Sequence, residues 1–82
     1  MGEIKEINVY DNSSADMMAA AIASELGGRG RVTLKTIGSE ALERAITSVN
    51  LAKECMPDYN ITLGKAVSYG GNVTMLFNAE RK

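Results

Sequence analysis

The chain has 82 residues, enough for one domain with a modest core, because a chain this short buries little more than about 60% of its unfolded surface. Nine basic residues against ten acidic ones and a pI near 5.3 argue against a protein that coats DNA non-specifically, which would be clearly basic. One cysteine, Cys55, excludes an intrachain disulfide; no histidine is present, no stretch is apolar enough to span a membrane and no secretory signal opens the chain, so it reads as cytoplasmic.

Residues 3–10 (EIKEINVY) alternate loosely, with Ile7 and Val9 on one face, and predict a strand. Residues 11–14 (DNSS) carry turn and N-cap chemistry, since short polar side chains bond the free N–H groups of a first helical turn. Residues 15–26 predict a helix with the stripe Ala15, Met18, Ile22, Leu26 and a small outer face of Ala20, Ala23 and Ser24. GGRG at 27–30 ends it, glycine being the usual residue just past a helix. Residues 31–37 (RVTLKTI) alternate cleanly, Val32 and Leu34 facing one way, Arg31, Thr33 and Lys35 the other.

After Gly38 a second helix is predicted from Ser39 to Cys55 or Met56, buried along Leu42, Ala45, Ile46, Val49 and Ala52 and stopped by Pro57. Residues 60–67 and 72–79 predict strands around the hairpin signal SYGG. The order is βαβαββ. Right-handed crossovers make the first three strands parallel and the hairpin makes the last antiparallel. The loops at 11–14, 36–39 and 68–72 then share one edge, together with both helix N-termini. That edge is where open α/β sheets bind ligands.

Gly38 and Ser39 have two compatible readings. The helix start aims unpaired N–H groups at a phosphate, or the glycine permits a tight turn with Ser39 as N-cap. No dinucleotide or P-loop fingerprint is present. Tyr10 and Tyr69 lie at the loop edge, where rings either stack on bases or seal the rim of the core. Lys35 is the basic residue closest to Gly38. Lys65 shares the parity of Ile61 and Leu63, which turns it toward the helices on an edge strand. Leu51 falls about 180° from the buried stripe of the second helix, beside Arg44, Ser48 and Cys55, and is a candidate interface anchor in a small domain expected to dimerise. Catalysis finds little support: Glu40 and Glu43 read as a solvated, dipole-complementing pair, and no metal-ligand cluster or cofactor site is evident.

The segment TIGSEALERAITSVNLAKECMP resembles the stage V sporulation protein S family through Ile37, Gly38, Ala41, Leu42, Ala45, Val49, Ala52 and Pro57. The entry NSSADMMAAAIASEL resembles that family's serine-rich start of an alanine-rich helix, and the likeness runs from about Val9 to Leu63. The family is similar in turn to the Alba proteins, small dimeric DNA- and RNA-binding proteins. The resemblance implies an α/β two-layer sandwich: two helices on one face of a four-stranded mixed sheet of order 1-2-4-3. It also implies a dimer and a role in nucleic-acid binding. Alba proteins place lysines in the first loop and a long hairpin arm against DNA. Here the first loop is Asp11, Asn12, Ser13 and Ser14, and the hairpin is short.

These observations lead to a non-enzymatic Alba-like protein that binds nucleic acid weakly as a homodimer or higher homo-oligomer, with no membrane partner. The expected binding set is Tyr10, Asn12, Ser13, Ser14, Lys35, Gly38, Ser39 and Tyr69; the expected dimer contacts are Arg44, Ser48, Leu51 and Cys55. The acidic pI favours the alternative, an interaction or oligomerisation module without a nucleic-acid role.

Overall fold

A computed structural model describes residues 6–82. The elements are β1 (Glu6–Tyr10), α1 (Ala15–Arg29), β2 (Arg31–Ile37), α2 (Ala41–Cys55), β3 (Tyr59–Tyr69) and β4 (Asn72–Arg81). Of the strand expected at 3–10, residues 3–5 lie outside the described part. The sheet order is β1-β2-β4-β3, with β1 parallel to β2 and β4 antiparallel to both β2 and β3. This is the expected βαβαββ two-layer sandwich.

Ser14 caps α1, its hydroxyl accepting from the Met17 N–H at 3.4 Å. The helix outlasts the expectation by three residues. Gly27 and Gly28 stay helical and face open space, and Arg29 bridges back to Glu25 at 3.0 Å. The stop comes at Gly30, whose φ of 77° only glycine adopts readily and whose N–H donates to the Leu26 carbonyl. The buried stripe of α1 is Ala19, Ile22 and Leu26, with Met18 and Ala23 packed partly against it.

On α2 the buried arc is Ala41, Ala45, Ser48, Val49 and Ala52, followed by Met56. Leu42 and Ile46, expected in the core, are instead 37% and 49% exposed. The physical reason is that α2 meets its neighbours along alanines, which turns the two bulky residues out on one flank. Ser48 is fully buried because its hydroxyl donates to the Arg44 carbonyl one turn back at 2.7 Å, satisfying itself within the helix. The sheet closes the core with Val9, Val32, Leu34, Ile61, Met75 and Phe77. Each fully buried Ile22, Leu26 or Leu34 side chain contributes about 1.5–3 kcal/mol.

Two details shape the helix-free face. The hairpin turns on Gly70 and Gly71, both at positive φ, which fits a two-residue turn matched to strand twist. On β3 the register slips between Leu63 and Lys65: Leu63 pairs with Phe77, and Lys65 pairs with Leu76. Gly64 is the extra residue of this bulge. The slip reverses the facing of everything beyond it, so Lys65 is not on the helix side as its parity suggested. It lines a shallow cleft on the opposite face with Thr33, Val67, Thr74 and Leu76.

Candidate functional site

The carboxyl ends of β1, β2 and β3 gather three loops at one edge, as the topology required. There the start of α2 is already occupied by an anion of the chain itself. Asp11 Oδ1 accepts from the Glu40 N–H at 2.7 Å, and the Arg44 Nε–H donates to the Asp11 main-chain carbonyl at 2.9 Å. A carboxylate at a helix N-terminus complements the unpaired N–H groups and the dipole there. Ser39 is not the cap. Ala41 N–H bonds back to the Gly38 carbonyl and Glu40 takes the cap position without a side-chain bond, which leaves Ser39 exposed one residue too early.

Gly38 makes this arrangement possible. Its φ is 120°, and a Cβ built there would collide with the Asp11 carboxylate, 2.6 Å from Cγ and 2.7 Å from Oδ2. The glycine therefore serves both a left-handed backbone and the close approach of a carboxylate. Phosphate capture at α2 competes with that carboxylate.

The other loop residues divide in the same way. The Ser13 hydroxyl accepts from the Tyr10 N–H at 2.9 Å, and Ser14 caps α1, so both serve the turn. Asn12 is exposed. Thr36, buried beneath this edge, donates its hydroxyl to the Val73 carbonyl at 3.1 Å and accepts from the Val73 N–H at 3.0 Å, tying β2 to β4.

Strand register places Tyr10, Lys35 and Tyr69 together on the helix-free face. Tyr10 pairs with Ile37 on β2, and Tyr69 pairs with Asn72 on β4. Thr36 pairs with both Val9 and Val73, and Val73 with Ser68, so the two tyrosines stand in the same cross-strand row, one at each side of the sheet. Three strand intervals of roughly 4.8 Å put them about 14 Å apart. The next row toward the sheet interior is Asn8, Lys35, Thr74 and Val67; the one after it is Glu6, Thr33, Leu76 and Lys65. Tyr10 is 45% exposed and Tyr69 86%. Among the described residues, Lys35 and Lys65 take part in no ion pair.

The expected dimer contacts do not form one exposed patch. Ser48 is buried and Leu51 is half-buried, while Arg44 is engaged with the β1–α1 loop; Arg44 and Cys55 are exposed. The large apolar residues exposed on α2 are Leu42 and Ile46, one turn apart. Lys65, Val67 and Asp11 are the residues that sequence reasoning missed or misplaced. A glycine inside a strand, Gly64, was the available signal for the first two.

Among the described residues there is no cluster of three or more potential metal ligands, and no helix is long and apolar enough to cross a membrane. The family described as Stage V sporulation protein S matches residues 5–69, well over half of the chain. No curated protein matches the chain.

Proposed function

The chain belongs to the stage V sporulation protein S family, and from that premise we propose that this sporulation-related protein is a cytoplasmic, Alba-like dimer that binds nucleic acid weakly. The family is not known as one of enzymes, and the proposed role is non-catalytic. The observation that carries the nucleic-acid reading is the shared row of Tyr10 and Tyr69, with Lys35 in the row beside it. Rings offer stacking surface to bases and the lysine offers charge to phosphate. Asp11 and Glu40 stand at the same edge and repel phosphate, so affinity is expected on the order of micromolar or poorer at physiological salt.

Fluorescence anisotropy with labelled oligonucleotides at two salt concentrations tests this. Binding at low salt, a shallow salt slope reflecting about two to four phosphates per dimer, and a larger loss from Lys35→Glu than from Arg29→Glu are expected. Equal loss from both substitutions, or no binding at low salt, overturns the assignment. The exposed Leu42 and Ile46 favour a second reading, an oligomerisation or interaction module, and that reading gains if nucleic acid fails to bind.

A further inference from the structure

We propose that the helix-free face of the sheet is a platform for single-stranded nucleic acid, with bases stacked on Tyr10 and Tyr69 and phosphates met by Lys35 and Lys65. The inference rests on the nucleic-acid reading above and specifies its ligand class and its surface.

The argument begins at Gly64. Without the bulge, strict alternation along β3 would carry Lys65 to the helix side with Ile61 and Leu63. With it, Lys65, Val67 and Tyr69 all join the face that holds Tyr10, Lys35, Thr74 and Leu76. The outcome is a surface with an aromatic ring at each side, an apolar floor from Ile37, Val67 and Leu76, and two lysines unpaired among the described residues. The acids on this face, Glu6 and Glu80, lie away from the tyrosine row. Glu6 shares the row of Thr33 and Lys65, and Glu80 pairs with Asn60 near the opposite end of β3. Lys35, in the row beside the tyrosines, is the cation for a phosphate at that end, while Asp11 and Glu40 at the adjoining loop edge keep the affinity weak.

The shape selects among anions. A four-stranded sheet with exposed aromatics stacks about two or three unpaired bases across its width. A duplex keeps its bases paired and offers a flat face nothing to stack on. The hairpin ends in a two-residue turn directly after Tyr69, which gives it no arm to enter a groove.

The test is anisotropy at low salt with labelled oligouridylate, oligothymidylate and a duplex of the same length. Both single strands are expected to bind at about micromolar levels, and the duplex at least about fivefold more weakly. Tyr69→Ala and Tyr10→Ala are each expected to cut single-strand affinity about tenfold while leaving duplex affinity unchanged. Tyr69→Phe retains the affinity, and Lys65→Glu weakens it. Tyr69 is so exposed that its replacement leaves the fold intact, which circular dichroism checks. Duplex binding as tight as single-strand binding, with no effect of the tyrosine variants, overturns the platform and leaves weak nucleic-acid binding standing. Failure of every probe to bind overturns both. A shift of Tyr69→Ala toward monomer in sedimentation, without loss of RNA affinity, also overturns the platform by making the face a contact between copies.

Discussion

Replacing Gly38 with alanine removes two things at once. The backbone there has φ of 120°, and forcing a non-glycine residue into such a region costs about 1–3 kcal/mol. The new methyl group also occupies the space of the Asp11 carboxylate, so the 2.7 Å bond to the Glu40 N–H is lost. Loss of a helix cap costs about 0.5–2 kcal/mol. Together these come to roughly 1.5–5 kcal/mol, a large share of the total for a domain of this size, which is on the order of 5–15 kcal/mol. At about 4–8 °C per kcal/mol, Tm falls by roughly 6 °C or more. A thermal melt followed by circular dichroism reads this directly. Asp11→Ala alone loses only the cap. Combined with Gly38→Ala it relieves the collision, so the double variant is expected to be about 1 kcal/mol more stable than additivity predicts. A Gly38→Ala melt that matches the parent refutes the argument altogether. Strict additivity refutes the part that assigns the glycine to Asp11.

Thr36→Val keeps the shape of a buried side chain but leaves both Val73 main-chain groups without their hydroxyl partner; a loss of about 1–3 kcal/mol is expected in urea unfolding, and an unchanged midpoint contradicts it. Leu42→Glu combined with Ile46→Glu places charge on the exposed apolar flank of α2, and is expected to move sedimentation toward monomer without lowering Tm; sedimentation like the parent's removes that flank as the interface. Asp11→Asn retains an acceptor for the Glu40 N–H and removes a negative charge from the loop edge. It is expected to tighten nucleic-acid binding about two- to threefold at low salt, and weaker binding contradicts repulsion by Asp11.

The fold was legible because its elements carry strong local signals. The RVTLKTI alternation, the alanine-rich helices, Ser14 as a cap and the Gly70–Gly71 turn each specify one outcome, and right-handed crossovers fix the parallel strands. The end of α1 is less legible because two glycines are tolerated in an exposed last turn, while only Gly30 takes the left-handed conformation that stops it. The burial of α2 does not follow from hydrophobicity alone, because its buried arc is mostly small residues. A helix packed through Ala41, Ala45 and Ala52 needs small residues inside, and Ser48 answers its own hydroxyl. The site was less legible. The cap from Asp11 to Glu40 spans 29 residues and has no local pattern to reveal it. The reversal at Gly64 was signalled only by one glycine within a strand, yet it decides which face Lys65 and Val67 join.

The most direct test of the central claim is an amide chemical-shift map of the isotope-labelled protein titrated with short oligouridylate at low salt. The account predicts fast-exchange shifts concentrated at Tyr10, Lys35, Lys65, Val67, Tyr69 and Thr74, with the Leu42–Ile46 flank and Arg29 unmoved. Shifts centred on that flank, or no shifts up to millimolar oligonucleotide, would contradict it.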